Sequence, residues 1–271
     1  MKKILYAIGL FLVLYVFNKK FGFLSTLGLV ALIIAFLCYT KRATLITQSA
    51  NQHYFVKGNV EKAKKLYEKA YKTGDMSPQC KLAYSSFCLR ENYFDKGKRI
   101  LSEIINSKRS DEKSKMNAKH NLAVLIWKEG NLDEAIELLE EVHKKMFATN
   151  TYGTLGVLYL DRAKRDHDFE RELPFMLEAY DYNDSDKTIA DNLGELYLIM
   201  EEYEKASEVY NALLKTQQLS PMPYYNYGLV LKRMGDIDGA RENFEKALDC
   251  RFSSVMTVTR ETVEKELSKL N

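Results

Sequence analysis

The chain has 271 residues, 46% of them hydrophobic, with 40 basic and 37 acidic side chains and four cysteines. That length allows a large buried core, and the near balance of charge excludes a basic nucleic-acid-binding domain. The balance is uneven: six basic residues (Lys2, Lys3, Lys19, Lys20, Lys41, Arg42) and no acid fall in residues 1–42, leaving 34 basic against 37 acidic beyond.

The first elements are apolar. Residues 4–17 form one continuous run between Lys2-Lys3 and Asn18-Lys19-Lys20, and residues 21–39 form a second, closed by Lys41-Arg42. The second has the length a helix needs to cross a bilayer core. The first spans about 21 Å at 1.5 Å per residue, so it crosses only if the bilayer thins or its lysines snorkel. A cleaved signal peptide explains the short run poorly, since no small-residue cleavage site follows Phe17. A soluble hairpin fits worse, because both runs are flanked only by basic residues. The expectation is a membrane anchor over residues 1–42, with helices at about 4–17 and 21–39. With two crossings, the positive-inside rule puts both termini and the rest of the chain in the cytoplasm. With only the second run crossing, four lysines before it outweigh the pair after it, and the rest faces outward.

Beyond residue 43 one pattern is written repeatedly, most clearly near the end. Leu193-Gly194, Tyr197, Ala206 and Tyr210 return thirty-four residues later as Tyr227-Gly228, Leu231, Ala240 and Phe244. A fixed period of that length marks a solenoid of helix-turn-helix units, none of which buries its apolar face alone. Gly194 and Gly228 admit the second helix at close range, Ala206 and Ala240 do so from the other side, and the large residues fill the space around the contact. Gly235-Asp236 separates the two helices of the last unit, glycine accepting the geometry that ends a helix.

Counting outward from the clear pair gives six units, at 44–77, 78–115, 116–148, 149–186, 187–220 and 221–254. Gly58, Asn92 and Gly130 stand at turns, with Ala63, Gly97 and Ala135 at the small positions that follow. Excesses of about four residues, at 110–114 and 166–169, are expected in loops on one edge of the stack. Residues 255–271 form a terminal capping helix, with Val263, Leu267 and Leu270 on one face.

This arrangement resembles the tetratricopeptide repeat family, most strongly through Asn226-Tyr227-Gly228, Gly235, Ala240, Phe244 and Ala247. It departs at Glu201, where a turn glycine is usual, and at Leu213, where alanine is usual. The resemblance implies an all-α, right-handed solenoid whose first helices line a concave groove that holds a protein or peptide partner. It implies no catalytic activity. The residues placed in that groove are His120, Asn121, Asp191, Asn192, Glu195, Tyr225, Asn226, Lys232 and Arg233. Asn121, Thr154, Asn192 and Asn226 share one position, and asparagine there either pairs with the backbone of an extended ligand or braces neighbouring helices. Asp191 and Glu195 lie four apart on one helix face, which suits a basic or amide-rich ligand, or is solvated surface. The lysine and asparagine clamp with which some family members grip a C-terminal carboxylate is replaced here by Gln48 with Gln52 and Leu82 with Ser86.

The first unit is lysine-rich: Lys62, Lys65, Lys69 and Lys72 recur at helical spacing just after the anchor. Either this face rests on anionic lipid headgroups or it is a solvated surface. Cys38, Cys80, Cys88 and Cys250 include no pair at zinc or redox spacing. Asp166-His167-Asp168 resembles a fragment of a metal site, but three adjacent loop residues rarely converge on one ion. No nucleophile elbow or phosphate-binding loop is present. The reading is a cell-membrane scaffold of bacterial type, without cofactor or metal, whose repeats hold a protein partner in the cytoplasm. The alternative is a structural component that self-associates in a membrane assembly.

Overall fold

The computed structural model describes residues 13–216, 218, 220–252 and 256–270, which contain helices and turns and no strand. The chain divides into two compact units, Met1–Tyr84 and Ser85–Asn271.

In the first unit residues 13–21 are helical, Gly22 breaks the helix with φ 81°, and α1 (Phe23–Thr40) follows. The break expected at Asn18-Lys19-Lys20 therefore falls later, because lysine and asparagine accept helical backbone while φ 81° with ψ 169° is a conformation essentially confined to glycine. Residues 4–12 of the expected first anchor helix lie outside the described residues. Among the described residues α1 is the helix long and apolar enough to cross a bilayer, and none of its 18 residues is buried.

A single non-helical residue, Lys41 (φ −103°, ψ 10°), joins α1 to α2 (Arg42–Asn51). The Lys41 N–H donates to Leu37 O and the Leu45 N–H donates to Lys41 O, both at 3.0 Å. A π-helical turn at Gln52–Val56 and Gly58 at φ 62° reverse the chain into α3 (Val60–Lys72), capped by the Asn59 side chain. The two helices run antiparallel: Arg42 at the start of α2 pairs with Asp75 beyond the end of α3, and the Tyr67 hydroxyl bonds Asn51. Ala43, Thr47 and Ala50 on α2 and Ala63, Tyr67 and Ala70 on α3 are all buried. Tyr84, where the unit ends, stacks on Tyr67 with ring centroids 5.0 Å apart.

The helix α4 (Pro78–Arg90) ends in the second unit and is followed by α5 (Phe94–Ile105). Then come α6 (Glu112–Lys128) with α7 (Leu132–Lys145), α8 (Thr149–Asp166) with α9 (Leu173–Tyr182), α10 (Lys187–Ile199) with α11 (Tyr203–Leu213), and α12 (Met222–Met234) with α13 (Ile237–Asp249). From α6 onward, each second helix packs on its own first helix and on the first helix of the next pair, and α10 also touches α8 and α12.

The two glycines act as the sequence suggests. A Cβ on Gly194 would lie 2.7 Å from the Tyr210 ring, and one on Gly228 would lie 2.6 Å from that of Phe244. Both rings are fully buried. Each first helix closes on a left-handed residue: Asn92 (φ 59°), Gly130 (96°), His167 (55°), Glu201 (62°) and Gly235 (86°). Glu201 adopts this conformation although it costs a residue with a Cβ about 1–2 kcal/mol. The packing of α10 on α11 holds the turn.

The extra residues near 166–169 fall mainly in a six-residue turn, 167–172, as expected, whereas those near 110–114 divide between a turn and the start of α6. α6 with 17 residues and α8 with 18 are also longer than α10 and α12, with 13 each. Asp111 caps α6 by accepting the Ser114 N–H at 2.7 Å, so the added turn starts with its orphan donors partnered. At the end of α8, Arg162 donates to both carboxylate oxygens of the buried Glu172 at 2.9 Å. The terminal helix α14 (Arg260–Ser268) starts later than residue 255, at a point where Thr259 caps it through the Thr262 N–H. β-branched Thr257 and Val258 before the cap disfavour helix. Val263 is fully buried, and Lys232 reaches Glu266 at 2.9 Å.

Candidate functional site

Within the second unit a cavity of about 530 Å³ lies along the first helices α4, α6, α8 and α10 and is closed by the start of α12. Its volume falls in the range of small-ligand pockets, ~300–1,000 Å³. Leu89, Val124, Val157, Leu160 and Met222 supply apolar surface. These positions recur because each first helix shows the same face to the cavity, one helix per repeat.

The charged groups of the wall are tied to one another. Trp127 Nε1 donates to Asp161 at 2.8 Å, and the Lys128 ammonium sits 4.1 Å from the Trp127 ring centroid. Lys164 pairs with Glu195 at 2.6 Å. Asp191 is 9% exposed and accepts from the Tyr210 hydroxyl and from Asn226 Nδ2, both at 3.1 Å. Burial, with the nearby Glu195 carboxylate adding to it, pushes the Asp191 carboxyl up to about 7. The acidic stretch expected from Asp191 and Glu195 is thus one buried carboxyl and one compensated carboxylate, not two groups free for a basic ligand.

The shared asparagine position forms a ladder inside the protein. Asn226 reaches back to Asp191 on the preceding first helix, Asn192 donates to Gly153 O at 2.8 Å, and Thr154 meets His120 Nε2 at 3.3 Å. Asn192 and Asn226 are 4% and 3% exposed, so in this arrangement they brace helices. Burial holds the His120 imidazole down at about 4, hence neutral.

Of the nine groove residues named from sequence, Asp191, Asn192 and Glu195 line the cavity. His120 is buried behind Thr154, Asn226 lies behind Asp191, and Asn121 is half-buried outside the lining. Tyr225 packs on Phe244 with centroids 5.9 Å apart, Lys232 is held by Glu266 of α14, and Arg233 is exposed. Sequence reasoning missed Trp127, Lys128, Asp161 and Lys164. The signal was the period itself: Trp127, Asp161 and Glu195 follow one another at thirty-four residues, as repeated positions on one face must.

Elsewhere, Lys62, Lys65, Lys69 and Lys72 are all exposed along α3. No group of His, Cys, Asp or Glu among the described residues converges on a metal site. Asp166 is instead engaged by Arg165 at 2.7 Å. Cys80 and Cys88 are buried, Cys250 is half-buried and Cys38 is exposed, all as free thiols.

The tetratricopeptide repeat pattern matches residues 189–218 and 223–251, the two units in which the sequence signal is strongest. Comparison with curated proteins finds no match. Among solved structures, a tetratricopeptide repeat protein from Parabacteroides merdae superposes with a TM-score of 0.66 at 14% identity, covering 95% of each chain. PilF of Pseudomonas aeruginosa gives 0.58 at 14% identity, covering 84% of this chain and 99% of its own. A thermophilic tetratricopeptide repeat protein from Thermus thermophilus gives 0.57 at 16%, covering 72% of this chain and 98% of its own. At these identities the likeness is one of fold. The chain is therefore an all-α protein with tetratricopeptide repeats, a fold that generally serves protein–protein interaction through its concave surface rather than catalysis.

Proposed function

We propose that the chain is a membrane-anchored interaction scaffold that holds a segment of a partner protein in the cavity along α4, α6, α8 and α10. The observation that carries this reading is the cavity's composition: an apolar floor repeated helix by helix, beneath polar groups already paired within the wall. Such a surface takes apolar side chains of an extended or helical segment, while the wall's fixed dipoles orient its backbone. Strongly basic ligands are disfavoured, because Lys164 already occupies Glu195 and Asp191 is buried.

The anchor in this proposal is α1 together with the helical run before it, and the six-unit division and cap read from the sequence describe the remainder. Support comes from the apolar surface of α1, none of whose residues is buried, and from the break at Gly22 between two helical stretches. With both stretches in the membrane, the basic residues favour a cytoplasmic side for the repeats. Labelling of a Glu208→Cys variant in intact cells by a membrane-impermeant thiol reagent would put the repeats outside instead, Glu208 being exposed.

The scaffold itself is tested by crosslinked capture from membranes, with the native chain beside Val157→Arg, which sets a charge on the cavity floor. A partner held by the native chain and lost from the variant, with helical content unchanged, supports the proposal. Recovery of this chain alone from both replaces it with self-assembly.

A further inference from the structure

The geometry points to a seat for anionic lipid headgroups at one end of the first helix pair, made by Lys69 and Lys72 of α3 together with Lys41 and Arg42, with Lys62 and Lys65 standing clear of the membrane surface. This rests on α1 being the membrane helix of the proposed function, and it replaces the picture of all four α3 lysines lying flat on lipid.

The Lys41 N–H bonds Leu37 O and Lys41 O accepts from the Leu45 N–H, so the single residue Lys41, at φ −103° and ψ 10°, joins α2 to the end of α1 and keeps Arg42 at the membrane end of the pair. In the proposed arrangement the pair stands away from the bilayer along the direction of α1. The antiparallel register then fixes which end of α3 is near. Arg42 pairs with Asp75 and reaches Thr73 O at 3.5 Å, so Lys72, the neighbour of Thr73, lies at the level of Arg42.

Rise along the helix sets the rest. At 1.5 Å per residue, Lys69 stands about 4.5 Å farther from the membrane than Lys72, Lys65 about 10 Å farther and Lys62 about 15 Å farther. The surface potential decays over a screening length of about 8 Å at physiological salt. Lys69 and Lys72 fall inside that length, whereas Lys65 and Lys62 fall outside it. Both proximal lysines are exposed, and among the described residues neither is engaged in an ion pair. Tyr39, at the end of α1, carries the Arg42 guanidinium 4.2 Å from its ring centroid, an aromatic and basic pairing suited to the bilayer interface. Lys41 is exposed beside it.

The test uses the native full-length chain in vesicles of phosphatidylcholine alone or mixed with phosphatidylglycerol. Lysine acetylation by a water-soluble reagent is read residue by residue by mass spectrometry. Labelling of Lys69 and Lys72 should fall about fivefold in the anionic vesicles, the change that ~1 kcal/mol per basic residue near the surface corresponds to. It should recover in high salt, with Lys62 and Lys65 unchanged throughout. Equal protection of all four lysines would overturn the upright arrangement, and labelling indifferent to lipid charge would overturn the seat. Protection by a soluble polyphosphate in neutral vesicles would assign the lysines to free anions instead. An alkaline wash of the same vesicles separates the two readings: a chain that washes off loses the anchor itself, while one that stays embedded with uniform labelling loses only this inference.

Discussion

The pairs α8–α9 and α10–α11 carry the same mid-helix glycine, Gly156 and Gly194, and use it differently. At Gly194 the vacant space is filled by Tyr210 from the second helix of its own pair. At Gly156 it is filled by Asn192 from the first helix of the next pair, whose amide bonds Gly153 O at 2.8 Å. A small residue in a first helix thus says that something approaches closely, but not which neighbour. In one place the glycine closes a repeat, and in the other it joins two.

Loss of a ring should have the largest effect. Phe244→Ala, which empties the equivalent site against Gly228, should cost about 3–5 kcal/mol, read as a lower urea midpoint of the full-length protein in detergent. If it costs no more than Asn192→Ala, the rings do not define the pairs.

A second test uses pH. The Asp191 carboxyl is raised from 3.8 to about 7, so its contribution to stability is complete below about pH 4 and is lost as pH rises through 7. His120 is lowered from 6.5 to about 4, so its contribution is complete above about pH 6.5 and is lost as pH falls toward 4. The two oppose each other. Asp191→Asn keeps an acceptor for Tyr210 and Asn226 while removing the first effect, so the urea midpoint of the variant should climb with pH between about 4 and 7. The gain at neutral pH should be on the order of 2–4 kcal/mol, at ~1.4 kcal/mol per unit of pKa shift. A variant that follows the native profile would refute the buried carboxyl as its source.

The glycines themselves give a smaller and sharper contrast. Gly228→Ala forces a methyl group against a locked ring and should destabilise by about 1–3 kcal/mol. Gly156→Ala meets the end of an amide side chain that can swing aside, so its loss should stay near the ~1 kcal/mol of one hydrogen bond. Thermal unfolding of both variants decides the order, and the reverse order would mean that the joint between pairs is tighter than the pair itself. The smallest effect is a gain: Glu201→Gly should relieve the left-handed strain and stabilise by about 1 kcal/mol, visible as a raised Tm.

The periodic features were legible from sequence because the solenoid repeats them. Gly194 with Tyr210, Gly228 with Phe244 and the turns at Asn92 and Glu201 all follow from spacing alone. What spacing could not supply was the placement of one pair on the next. Asp191 and Glu195 share a helix face, yet Asn226 of α12 reaches both and buries the first, while Lys164 pairs with the second. The excess near 166–169 does lie in a turn, but an excess in length says nothing about caps, so the start of α6 at Glu112 behind its Asp111 cap was not legible from the count. Trp127 carries no signal by itself in the sequence, yet Asp161, one period on, gives its indole a partner.

The polar ladder has a direction, and that direction bears on how the chain is made. Asn192 donates to Gly153 and Asn226 to Asp191, so each of these amides belongs to the later segment and each acceptor to the earlier one. A ribosome delivers the segments in that order, at ~5–20 residues per second, or roughly two to seven seconds per unit. Each asparagine therefore emerges to find its acceptor already laid down, and neither repeat buries an amide whose partner has yet to be translated.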